Sequence, residues 1–147
     1  MVVDSKKQQL KFDDIVKISV QETKSQYPAP IALVGITKEI TLPGVNTIRL
    51  GNTIFIVHTN KQSPKHIFFR ALNADTAKNY VENSKKFTDQ MKKKGYTAMV
   101  TQFQDPTLLN IFKAIARDKP KDMGYAVQKS KDGKTYQVSV QLSKGHK

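Results

Sequence analysis

Apolar residues recur along this chain with two different periods, and the change from one to the other marks its elements. In "NADTAKNYVENSKKFTDQMKKKG", residues 73 to 95, the residues Ala77, Tyr80, Val81, Ser84, Phe87 and Met91 share one stripe at helical spacing. The pattern predicts a helix capped by Asp75 or Thr76 and stopped at Gly95. Lys92, Lys93 and Lys94 close it, where cations suit the negative end of the helix dipole.

Ahead of this helix the period is two. "NTIRLGNTIFIVHTN" holds two β-branched runs around the turn pair Gly51-Asn52, and "KHIFFRAL" follows after "KQSP", which predicts a three-strand antiparallel meander. Ile54, Ile56 and His58 share one face of the middle strand and Phe55 and Val57 the other, so that strand is covered on both faces. Behind the helix, "YTAMVTQF" reads as a strand. "DPTLLNIFKAIARD" reads as a helix with Asp105 as cap, Pro106 in the first position and Leu108, Phe112 and Ile115 buried. "GYAVQKS" and "KTYQVSVQL" form a hairpin through "KDG", with Tyr136, Val138, Val140 and Leu142 inward. At the start, "LKFDDIVKISVQETKSQ" reads as a helix begun near Asp13 and Asp14. "YPAPIALVGITKEITLPGV", with prolines at 28, 30 and 43 and glycines at 35 and 44, reads as short broken pieces with a buried apolar middle.

The resulting order is α+β: a mixed, mostly antiparallel sheet with one β-α-β crossover and flanking helices. A length of 147 residues, 38% of them hydrophobic, suits one domain with a single core. Its core is expected over 46–142, its less regular part over 1–45, and a polar tail at "SKGHK". The formal charge of +13 creates a field that attracts polyanions, anionic cofactors or acidic proteins. With no cysteine, disulfides and thiolate chemistry are excluded. No apolar run reaches the roughly 20 residues of a bilayer span, so the expected setting is the cytoplasm, without a membrane partner.

Several chemistries lose their footing in the motifs. There is no G-x-S-x-G, no G-x-x-x-x-G-K-[ST] and no paired carboxylates at a hydrolytic spacing. His58 and His66 flank "TNKQSPK" and can face each other across the hairpin, but without a third ligand no metal site is expected. Glu22, Glu39 and Glu82 are too scattered to single out a general base.

The later half carries a resemblance. Asp105, Phe112 seven positions on, and Gly124-Tyr125 at the start of a strand are similar to the pattern of the GNAT superfamily of acyl-CoA-dependent N-acyltransferases. The resemblance covers residues 46 to 142 best. It implies a cofactor, acetyl-CoA or another acyl-CoA, wedged between two splayed central strands, and an amine acceptor opposite. It further implies that Arg70, Ala71, Leu72, Asn73, Thr76, Ala77 and Lys78 line the cofactor phosphates and that Asp105 and Phe112 lie beside its pantetheine arm. The chain departs from the pattern where "RALNAD" puts Asn73 and Asp75 in place of small residues, and where Phe112 replaces a proton-donating tyrosine. Asp75 equally fits an ordinary helix cap and Phe112 an ordinary core aromatic.

Two rival readings stay open at this stage. In one, the scaffold is a non-catalytic binder whose Lys85, Lys86, Lys92, Lys93, Lys94, Lys113 and Arg117 contact nucleic acid phosphates or an acidic partner. Small lysine-rich chains of this kind resemble proteins carried by tailed bacteriophages, some of them placed in virions. In the other, it is an unrelated α+β structural protein.

Overall fold

The computed structural model describes residues 2–23, 27–103, 107–117 and 124–142. Helices α1 (Phe12–Glu22) and α2 (Ala29–Glu39) come first, then strands β1 (Val45–Leu50), β2 (Thr53–Asn60) and β3 (Ser63–Asn73). They are followed by α3 (Ala77–Lys93), β4 (Ala98–Phe103), α4 (Thr107–Arg117), β5 (Gly124–Lys129) and β6 (Tyr136–Gln141). One six-stranded sheet runs in the order β1-β2-β3-β4-β6-β5. All neighbours are antiparallel except β3 and β4, which the α3 crossover makes parallel.

Alternation along β2 feeds two buried clusters, one on each face of the sheet, as its pattern predicts, where chain length alone suggested a single core. Ile54 and Ile56 pack with Leu72 of β3 against Ile15 and Val16 of α1 and Ile36 of α2. Phe55 and Val57 face the other way, into a cluster with Phe69, Met99 and Val138 of the sheet, Phe87 and Met91 of α3, and Phe112 of α4. Phe55 and Phe87 stack with centroids 4.1 Å apart and planes 3° from parallel. Each such ring buries enough apolar surface to contribute about 1.5–3 kcal/mol, so this pair anchors α3 on the sheet.

Local signals set the ends of α3. Thr76 is the N-cap, its Oγ1 accepting from Asn79 N at 3.3 Å, and Gly95 follows the C-cap in the left-handed region at φ 95°. Asp13 and Asp14 lie in the first turn of α1. Strand β3 starts at Ser63, so Ser63 and Pro64 belong to the strand and not to the loop before it.

The region read as broken pieces is instead one helix, α2. Pro28 is its N-cap and Pro30 lies in its first turn, where the missing N–H has no intrahelical acceptor to lose. Gly35 sits mid-helix in open space. The prolines thus begin a helix. Among the described residues no helix is long and apolar enough to cross a membrane.

Candidate functional site

Strands β3 and β4 pair over three positions only, His66 with Ala98, Ile67 with Met99 and Phe68 with Val100. Beyond these β3 continues to Asn73 and β4 to Phe103 without pairing to each other. The gap is a cleft of about 700 Å³ that reaches both faces of the sheet, bounded by α1 and α2 at one end and by α3 and α4 at the other. Phe69, Ala71, Phe103, Leu108 and Phe112 make much of its wall apolar.

The β3 edge carries backbone polarity into this gap. Ala74 N donates to Asn52 O on the β2 side, while Asn73 N donates to Ser19 Oγ on the opposite side. Strand alternation turns the peptide groups of Ala71, two residues before Asn73, to that same opposite edge. They face the cleft past the last paired residues.

The turn into α3 is closed by the chain itself. Asn73 Oδ1 accepts from Thr53 Oγ1 at 2.8 Å and from Asp75 N at 3.1 Å. Asp75 is 1% exposed. Its carboxylate accepts from Ser5 N at 3.1 Å, Asn52 N at 3.0 Å, Thr76 N at 3.0 Å, Asn79 Nδ2 at 3.0 Å and Asn83 Nδ2 at 3.3 Å. Burial works against its charge, yet these hydrogen bonds outweigh burial and hold its pKa below the ordinary value. The N–H groups of residues 73 to 76 are therefore all engaged internally. Ala77 and Lys78, exposed in the first turn, keep N–H groups with no intrahelical acceptor.

Arg70 and Leu72 line the cleft, but the Arg70 guanidinium is drawn to the α2 side of the sheet, not to the start of α3. It pairs with Glu39, through a short contact from Nη2 and a 3.3 Å contact from Nε. His58 Nε2 meets the same carboxylate at 2.6 Å. Burial disfavours the Glu39 anion, but the Arg70 and His58 contacts outweigh it and lower its pKa. His58 has Phe68 as its register partner and lines a second, shallower pocket together with His66. Among the described residues no three His, Asp or Glu side chains are grouped to hold a metal ion.

Phe112 is buried at the cleft and stacks on Phe103 at 5.5 Å. Asp105 lies outside the described residues. Gly124 opens β5, where a Cβ would come within 3.3 Å of Gln141 Cβ. Lys86 and Lys93 of α3, its C-cap Lys94, and Lys113 of α4 are exposed, and Lys85 and Lys92 are half-buried. Thr101 of the cleft escaped the sequence reading, and Tyr80 was read into the helix stripe. Tyr80 has the spacing of a packing residue and Thr101 that of an ordinary strand position, and neither pattern distinguishes a cleft wall from a core.

No protein-family model matches the chain, and no curated protein matches it by sequence. Solved structures do resemble it. Aminoglycoside 6'-acetyltransferase type Ii is similar over 92% of this chain and 96% of its own, with 7% identity and a TM-score of 0.59. The ribosomal-protein-S18-alanine N-acetyltransferase from Escherichia coli is similar over 92% and 91%, with 8% identity and a TM-score of 0.51. An acetyltransferase of Bacillus subtilis, solved in complex with CoA, is similar over 91% and 95%, with 9% identity and a TM-score of 0.51. With its mixed six-stranded sheet, four helices and parallel central strands that part, the chain has the fold of the GNAT acetyltransferases.

Proposed function

We propose that this protein transfers an acyl group from an acyl-CoA thioester to an amine, with the reacting carbonyl held in the cleft between β3 and β4. The observation that carries the reading is the end of β3–β4 pairing at Phe68 and Val100, which frees strand edge for a ligand. In this reading the Ala71 N–H donates to the thioester oxygen, where negative charge gathers as the amine attacks. Phe103, Leu108 and Phe112 keep water from the thioester arm. Arg70, Leu72 and Asn73 frame the entrance, Arg70 through its bond to Glu39.

The phosphates of the carrier lie at the Ala77 and Lys78 amides, flanked by Thr76 and by the Lys78 ammonium. The Asp75 carboxylate and its donors leave no open amide deeper in the turn. Glu39, stabilised as an anion by Arg70 and His58, is a weak proton acceptor, so the amine attacks as the free base supplied by solution.

Calorimetric titration with acetyl-CoA at moderate salt tests this. Saturable heat at one carrier per chain is expected. Absence of heat up to millimolar carrier overturns the proposal.

A further inference from the structure

Hydroxyl groups line the cleft on its α3 and α4 side. Tyr80 projects from α3 and is 7% exposed, and Thr101 lies on β4 and is 5% exposed. Thr101 alternates with Val100 and Gln102, which puts it on the same sheet face as Met99 and the α3–α4 core. Neither hydroxyl has a hydrogen-bond partner among the described residues. Other polar groups on the cleft are engaged. Ser19 Oγ accepts from Asn73 N, Thr23 Oγ1 donates to Ser19 O, Gln102 Nε2 donates to Gln137 Oε1, and Arg70 holds Glu39.

A buried polar group without a partner is costly, and proteins keep few of them. Here two stand on the wall of one cleft whose other walls are largely apolar. Phenylalanine and valine would fill the same volumes without that cost. Retention of both hydroxyls is explained if an entering molecule brings the acceptors.

We propose that Tyr80 and Thr101 donate hydrogen bonds to carbonyl oxygens of the amide-bearing arm of a thioester carrier threaded between β3 and β4. The inference rests on the acyl-thioester reading above and names which side chains grip the arm. Burial pushes the Tyr80 phenol up to about 12, so it enters as a neutral donor at physiological pH. The apolar rings of Phe103 and Phe112 pack along the arm while the two hydroxyls set its depth.

The test uses Tyr80→Phe, Thr101→Val and the double variant, each read in two ways. Urea unfolding without carrier is expected to show every variant at least as stable as the parent, because an unpaired hydroxyl has been removed. Calorimetry with acetyl-CoA is expected to show each single variant binding about fivefold more weakly and the double variant weaker still. A variant that is less stable than the parent without carrier overturns the inference, since its hydroxyl then has a partner inside the protein. Variants that bind like a binding-competent parent overturn the inference alone. A parent that gives no heat with acetyl-CoA removes the acyl-thioester reading, and this one with it.

Discussion

The carboxylate of Asp75 accepts the backbone N–H of Asn52 at 3.0 Å, tying the β1–β2 turn to the first turn of α3. A negative charge therefore sits at the positive end of that helix before any ligand arrives. The same carboxylate also gathers Ser5, Asn79 and Asn83.

Asp75→Ala is expected to cost about 3–5 kcal/mol, because it leaves several buried donors unpaired at once. Asp75→Asn should also destabilise, since its amide N–H₂ would face donors. Urea unfolding monitored by circular dichroism measures both. A loss below about 1 kcal/mol for Asp75→Ala would show that water replaces the carboxylate freely.

Acid should weaken the fold through the same group. Asp75 and Glu39 both have pKa values below their ordinary 3.8 and 4.5 in the folded state, so the unfolded chain takes up protons first as pH falls. The stabilisation is complete above the ordinary carboxylate range and is lost as pH drops through the folded values. A urea midpoint that is level from pH 7 to about 5 and then falls below about 4.5 is expected, with a shallower fall in Asp75→Ala. A midpoint that rises on acidification contradicts the arrangement.

Gly51 occupies the turn beside this network at φ 59°, and a Cβ there would lie 2.8 Å from Ser5 Oγ and 2.9 Å from Asp75 Oδ2. Gly51→Ala combines a left-handed backbone with a clash against a carboxylate already held in place. About 1–3 kcal/mol of lost stability is expected. An unchanged midpoint in thermal and urea unfolding would mean that the Ser5 segment yields without cost.

The engaged amides of residues 73 to 76 predict weak discrimination between carriers. S-acetylpantetheine, which lacks the nucleotide and its diphosphate, should bind within about tenfold of acetyl-CoA, because Ala77, Lys78 and the Lys78 side chain contribute only about 1–1.5 kcal/mol in open solvent. Competition calorimetry compares the two. A gap of a thousandfold or more would place strong phosphate recognition in a turn that opens on binding.

The Phe112 ring reaches the cleft beside Phe103, at the position where the resemblance to the GNAT pattern implies a proton donor. Phe112→Tyr keeps the stack and adds a hydroxyl. Acyl transfer to a small amine is expected to speed up on the order of tenfold to a hundredfold in kcat with KM little changed. A rate no faster than the parent's would show that departure of the thiolate needs no acid from this position.

Much of the architecture was legible along the chain because helix and strand periods are local properties. The stripe from Tyr80 to Met91, the Gly95 stop and the alternating faces of β2 could be read directly and fold as read, whereas Ala77, read into the same stripe, is exposed in the first turn. Region 27–45 misled for a physical reason: a proline blocks a helix interior yet suits a helix start, and which role it plays depends on whether an apolar face waits to be covered. Ile36 finds that face on α1 and the sheet.

The site was less legible, since it is made by distances that no spacing encodes. Sequence alone determined the strands and helices outside region 27–45, the +13 charge, and the Asp105, Phe112 and Gly124 pattern that resembles acyltransferases. Only the tertiary structure decided that β3 and β4 separate after Phe68 and Val100, and that Arg70 turns to Glu39. It also decided that Asp75 is shared by residues 5, 52, 79 and 83. Periodicity follows from the backbone's own geometry, whereas the contacts of Asp75 with Ser5 and Asn52 and of Arg70 with Glu39 join groups 70, 23 and 31 residues apart and exist only once the sheet has brought them together.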